Sequence, residues 1–174
     1  MAEIDFVQKL IAKLHLEPLQ IEGGMFFQSY RSVDEVPLEH LPKRYPSRRR
    51  FSSAIYYLLT NEPDSFSTMH KLLTDEIYHF YLGDPVEMLL LYLDGSSKHV
   101  ILGKDILGEQ HVQYVVAHGV WQGLHLLPGG KYALLGTTMA PGFESDEFVL
   151  GHRADLVSKY PQEKALLSRL TRGS

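Results

Sequence analysis

The chain reads as an all-β protein with flanking helices, and three observations predict this. From residue 51 to residue 151 short runs rich in β-branched and aromatic residues follow one another: "FSSAIYYLL", "FSTMHK", "EIYHFYL", "VEMLLLYL", "KHVILG", "HVQYVVA", "KYALLGTTMA" and "EFVLG". Turn signals such as "NEPDS", "LGDP", "DGSS" and "PGG" separate them, with no helical period in between, which argues for an antiparallel barrel or sandwich. Helical spacing is confined to the two ends of the chain.

At the amino end, "IDFVQKLIAKLHL" sets Phe6, Val7, Leu10, Ile11 and Leu14 on one helical face, so a helix is expected over residues 1–16. The texture changes at "EGGMFFQSYRS", where a glycine pair suits a turn and β-favouring residues follow; a barrel is expected over 23–151. Residues 33–50 carry Pro37, Pro42 and Pro46, too many for a helix or a central strand, and read as a long basic loop. Helical spacing returns over 152–170 through Leu156, Ala165, Leu166 and Leu170, with Pro161 placed to start a last helix.

A chain of 174 residues suits a single domain, and no linker or internal repeat divides it. Its 44% hydrophobic and 22% charged residues are ordinary for a soluble domain. No apolar run is long enough for a membrane helix and the first residues lack a secretory pattern, so the expected location is cytoplasmic, with no membrane partner. A formal charge of −4 gives no general reason to expect nucleic acid. The absence of cysteine excludes thiolate metal sites, cysteine nucleophiles and disulfides, leaving nine histidines as the strong nitrogen donors.

The chemistry concentrates in "HKLLTDEIYHFYLG". Strand alternation sends Glu76, Tyr78 and Phe80 to one face and His79 to the other. His70, one turn earlier, is expected to meet Glu76 by cross-strand pairing. A carboxylate beside a histidine orients the ring and sets its tautomer, an arrangement suited to proton abstraction.

The spacing of His70, Glu76 and Gly83 resembles the first motif of the cupin superfamily, in which a His-x-His pair precedes a glutamate and then a glycine. "AHGVWQ" is similar to the second motif, Pro-x-Gly-x-x-His, with Gly119 in place and Gln122 at the histidine position. Together with "EGGMFFQSYRS", "SAIYYLLT", "GVWQG", "LLGTTMAPGFESDEF" and "LVSKYP", these phrases resemble the small cupins grouped as domain of unknown function 985, cupin family 5.

The resemblance implies a double-stranded β-helix jelly roll, usually a homodimer, with a pocket inside the barrel. In such dimers the amino-terminal strand often crosses to the partner, which would be "MFFQSYR" here. The metal-binding cupin pattern departs at two positions, Thr68 and Gln122, so no metal cofactor is expected; a divalent ion at His70 and Glu76 is the minor alternative. Sugar-nucleotide epimerases of the superfamily work without metal, using a histidine base and a tyrosine acid. By that analogy His70 and Glu76 are the expected catalytic pair, with Tyr56, Tyr78 and Tyr132 eligible as acid. The ligand is expected to be a sugar, nucleotide or nucleotide-sugar, touched by Thr68, Tyr78, Gln122, Phe143, Glu147 and Tyr56. A non-catalytic binding cupin is the competing class, and a metal-dependent oxygenase the third. The run "KRYPSRRR" reads as a solvated loop, or as a phosphate clamp if it closes over the barrel mouth.

Overall fold

The computed structural model describes residues 2–173, with side chains from residue 6 onward. After helix α1 (Ala2–Leu14) come thirteen strands: β1 (Glu17–Pro18), β2 (Met25–Arg31), β3 (Glu35–Val36), β4 (Arg49–Arg50), β5 (Ser53–Thr60), β6 (Ser67–Lys71), β7 (Glu76–Gly83), β8 (Val86–Leu91), β9 (Ser97–Leu102), β10 (Gln113–Val116), β11 (Trp121–Leu126), β12 (Tyr132–Met139) and β13 (Val149–Leu150). Two short helices, α2 (Arg153–Lys159) and α3 (Lys164–Arg169), close the chain, with a single 3-10 turn at Pro161–Glu163 between them.

The strands form two facing antiparallel sheets in the orders β1-β2-β5-β12-β7-β10 and β13-β6-β11-β8-β9. Consecutive strands β5 to β8 cross in turn from the first sheet to the second, back to the first and again to the second, which is the jelly-roll arrangement. Alternation explains the interior. In β5, Tyr57 and Leu59 join Phe80, Met88, Leu90, Leu124 and Leu135 between the sheets, while Tyr56 and Leu58 face out against α1. The predicted apolar stripe of α1, Val7, Leu10, Ile11 and Leu14, covers that outer patch together with Leu134.

The second sheet is covered on its outer face by α2 and α3: Leu156, Leu167 and Leu170, the residue that follows α3, pack on Met69, Leu89 and Leu91. A sheet buried on both faces needs strands without alternation, which accounts for the nearly continuous apolar run of β8. Each such leucine contributes about 1.5–3 kcal/mol by leaving water. Trp121 belongs to this outer layer, as its alternation with Gln122 predicts, and Lys71 Nζ lies 4.6 Å from its ring centre. Gly83 closes β7 at φ 103°, where a Cβ would stand 2.3 Å from the Tyr132 carbonyl oxygen, so the spacing motif ends on glycine for a steric reason.

Two expectations about the middle of the chain need correction. β6 and β7 lie in different sheets, so His70 and Glu76 do not meet by strand pairing; the turn over residues 72–75 carries the chain across the sandwich, and His70 pairs instead with Gln122 and Leu150. The basic run is not a solvated loop throughout. Arg49 is wholly buried: its guanidinium donates to Asp146 Oδ1 at 2.7 Å and to Ser47 Oγ at 2.6 Å and lies 5.0 Å from the Tyr45 ring centre. β3 and β4 pair as a small ribbon, where Glu35 holds both Arg48 and Arg50.

A histidine cluster that no spacing announced fastens the carboxyl-terminal segment to the second sheet. His99 on β9 bridges Glu87 Oε1 at 2.8 Å and Glu163 Oε2 at 3.1 Å, and His125 meets the other Glu87 oxygen at 3.0 Å. Burial pulls the His99 imidazole down, but its hydrogen bonds to Glu87 and Glu163 and their charges outweigh this and hold it above its ordinary value. A raised folded-state value means that the stabilisation is complete below the unfolded histidine value of about 6.5 and is lost as pH rises through the folded value. The melting midpoint should therefore fall modestly as pH rises through and above that range, because the cluster is partly exposed and screened. His99→Gln should flatten this part of the profile, and an unchanged slope in that variant would remove His99 as its source. Among the described residues, no helix is long and apolar enough to cross a membrane.

Candidate functional site

A cavity of about 510 Å³ opens into the sandwich between the two sheets. β6 supplies His70, β7 Glu76, β5 Ser53 and Ile55, β12 Thr137 and Met139, and β2 Phe26, Gln28 and Arg31. Glu22 enters from the turn before β2, and Phe143, Glu144 and Phe148 from the segment after β12. A smaller cavity of about 350 Å³, lined by Thr60, Asn61, Phe66, His125 and Leu170 among others, lies apart from these groups.

His70 is 1% exposed and stacks on Phe148 with ring centres 4.9 Å apart. Its Nδ1 lies 2.8 Å from the Thr68 carbonyl oxygen. A carbonyl only accepts, so Nδ1 carries a proton and Nε2 is the nitrogen left for the cavity. Nε2 stands 4.0 Å from Glu76 Oε2, too long for a hydrogen bond and short enough for direct electrostatic contact.

Glu76 is 7% exposed and accepts a 2.7 Å hydrogen bond from Gln122 Nε2, with Thr137 and Tyr78 as further side-chain partners. Burial pushes its carboxyl above the ordinary value, and the charge of Glu22 adds to the rise; His70, Thr137 and Gln122 oppose it without cancelling it. Glu22 itself accepts a 2.7 Å hydrogen bond from Ser67. The cavity thus combines one histidine, the carboxyl groups of Glu22, Glu76 and Glu144, and an aromatic wall.

The predicted site residues divide. His70, Glu76 and Phe143 line the cavity. Gln122 and Tyr78 are buried beneath Glu76 as its partners and do not line it. Thr68 is turned away: its hydroxyl donates to the Leu170 carbonyl, and only its backbone serves His70. Tyr56 belongs to the outer face under α1, because alternation in β5 gives the inner position to Tyr57. Glu147 is buried against Arg49 and Thr74, outside the lining; Glu144 is the acidic residue of that stretch at the cavity, paired with Arg31 at 2.6 Å.

Glu22, Thr137 and Phe148 were not anticipated. The signal for Glu22 was present in "EGG" but reads there as a turn, and Thr137 follows from alternation in "LLGTTMA" once its register with Tyr78 is known.

The model of the family described as cupin superfamily (DUF985) matches residues 8–151. The chain belongs to this cupin family. The yeast protein YML079W of Saccharomyces cerevisiae is 32% identical over 136 residues, covering 72% of this chain and 66% of its own length. The crystal structure of protein SO0799 from Shewanella oneidensis superposes with a TM-score of 0.79 at 30% identity, covering 95% of this chain and 97% of that one. A hypothetical protein from Leishmania major gives 0.82 at 26% identity, covering 94% and 97%.

Metal-binding cupins hold an ion with several histidines and a glutamate, and the residues of this cupin do not fit that requirement. Thr68 faces away, and Gln122, which turns its amide N–H to Glu76, has only an amide oxygen to offer, a poor donor for transition metals. Among the described residues, no group of three or more His, Cys, Asp or Glu side chains is disposed to hold a metal ion.

Proposed function

We propose that this cupin binds a small polar ligand of the sugar, nucleotide or nucleotide-sugar type in the barrel cavity and acts on it as a metal-independent isomerase or epimerase. His70 is the base. The observation that carries this is the Thr68 carbonyl bond to Nδ1, which fixes the tautomer and leaves Nε2 to take a proton at the wall of the barrel cavity. The reaction moves protons: Nε2 removes one from a carbon next to a carbonyl while an acid protonates the carbonyl oxygen, giving an enediol, and return of a proton to the former carbonyl carbon with loss of the other hydroxyl proton completes the isomerisation.

The tyrosines considered for that acid lie elsewhere, Tyr56 and Tyr132 under α1 and Tyr78 beneath Glu76. The acid is therefore Glu76, whose burial holds its proton to higher pH than an exposed carboxyl. With base and acid side by side, proton shuttling between adjacent atoms on one face suits isomerisation better than inversion.

A purely ligand-binding cupin is the second reading, favoured by the full set of side-chain partners around Glu76. A thermal-shift panel of sugars, nucleotides and nucleotide-sugars tests the shared part of both. A ligand at about one hundred times its dissociation constant stabilises by roughly 2.7 kcal/mol, several degrees for this length. The shift should shrink in His70→Ala; an undiminished shift would place the ligand outside the barrel.

We further infer a cytoplasmic homodimer joined along β2. That strand pairs with β1 only at Met25 and Phe26, leaving the following edge open beside exposed Phe27 and Tyr30. Light scattering at micromolar concentration checks it, and a mass of one chain would remove the dimer.

A further inference from the structure

We infer that the cavity selects an uncharged polyhydroxy ligand, an unphosphorylated sugar, and discriminates against its phosphorylated forms. This rests on the reading that the cavity holds a sugar- or nucleotide-type ligand, and narrows it.

The first ground is the sign of the lining. Glu22, Glu76 and Glu144 all face the cavity, and Arg31 is the one arginine or lysine among its described lining residues. Arg31 is already matched to Glu144 at 2.6 Å. A phosphate dianion entering beside His70 would meet the Glu22 carboxylate with no free guanidinium to compensate.

The second ground is where the basic run went. A phosphate clamp from the basic run would have to come from Lys43, Arg44, Arg48, Arg49 or Arg50, and none of them lines the cavity. Arg44 donates to the Leu73 carbonyl, Arg48 and Arg50 are held by Glu35, and Arg49 is buried on Asp146. The loop is held together by its own arginines.

The third ground is what remains available. The His70 ring is buried at the cavity wall, and its Nε2 makes no hydrogen bond among the described residues; Glu22 and Glu76 have acceptor capacity, and Gln28 adds an amide. Hydroxyl groups donate and accept in turn and so suit this alternation. Phe26, Phe143 and Phe148 offer an apolar wall for the C–H face of a sugar ring.

The test is calorimetric titration of the full chain and of Glu22→Gln with glucose, galactose, mannose and rhamnose, each beside its 1-phosphate, with glucosamine and UDP-glucose as further arms. At least one free sugar is expected to bind tenfold or more tightly than its phosphate. Glu22→Gln keeps the acceptor for Ser67 while removing a charge, and should narrow that gap threefold or more. Raising salt to ~0.5 M should narrow it in the native protein too, which keeps the test decisive if the variant fails to fold.

A phosphorylated ligand binding as tightly as the free sugar, tighter binding of the amino sugar, or a gap indifferent to both charge removal and salt would overturn the selectivity while leaving the ligand reading intact. Binding by no member would overturn both.

Discussion

His70→Ala is expected to slow exchange of a carbon-bound ligand proton with deuterated water by about 10²–10⁴-fold, the range a positioned general base supplies. The variant should keep its fold, because what it loses is a ring stacked on Phe148 and one bond to the Thr68 carbonyl, while the strand pairing of β6 is made by the backbone. Proton NMR of the ligand in deuterated buffer, beside a melting curve, separates the two effects. Glu76→Gln should also slow exchange, with a different pH signature. In the native protein the raised Glu76 carboxyl keeps its proton above the ordinary carboxylate range, so activity that needs Glu76 as acid falls as pH rises through that raised value. That falling limb should vanish in Glu76→Gln. Exchange at the native rate in His70→Ala would end the catalytic reading and leave a binding module.

Arg49→Ala is expected to destabilise the fold by about 3–5 kcal/mol, the cost of leaving a buried charge without its partner. The guanidinium is wholly buried, and its Nε lies 3.9 Å from the equally buried Glu147. Without it Glu147, whose carboxyl burial already pushes up, would retain Thr74 as its main side-chain partner. At about 2–4 °C per kcal/mol for a chain of this size, the midpoint should drop on the order of 10 °C. Arg48→Ala is the control: that side chain is 71% exposed and should change stability by no more than about 0.5 kcal/mol. Equal effects in the two variants would show that the buried pair contributes nothing beyond its surface neighbours.

The all-β class and the run of strands could be anticipated because alternation, turn residues and a chain too short for two cores all constrain the same answer. The motif spacing carried His70, Glu76 and Gly83 to their places. What escaped was whatever depends on register or on contacts across the sandwich. Tyr56 and Tyr57 are adjacent and chemically identical, and only pairing with β12 decides which one turns inward. Glu22 and Glu76 are far apart in the chain and are neighbours only once the barrel has closed. Arg49 sits in a run whose other basic residues are exposed or half-exposed, and burial of one arginine among several leaves no periodic trace. The crossing between β6 and β7 was hidden for a similar reason: a four-residue connection is as compatible with a hairpin as with a corner.

That corner has a chemical consequence. Since His70 rides on one sheet and Glu76 on the other, their 4.0 Å gap works as a gauge of the distance between the layers. Close-packed interiors transmit small displacements instead of absorbing them. Enlarging or shrinking Met88 or Leu124, which do not line the cavity, should therefore retune the proton transfer proposed for His70 and Glu76, so that the apolar filling of the sandwich would act as a remote adjustment of that pair.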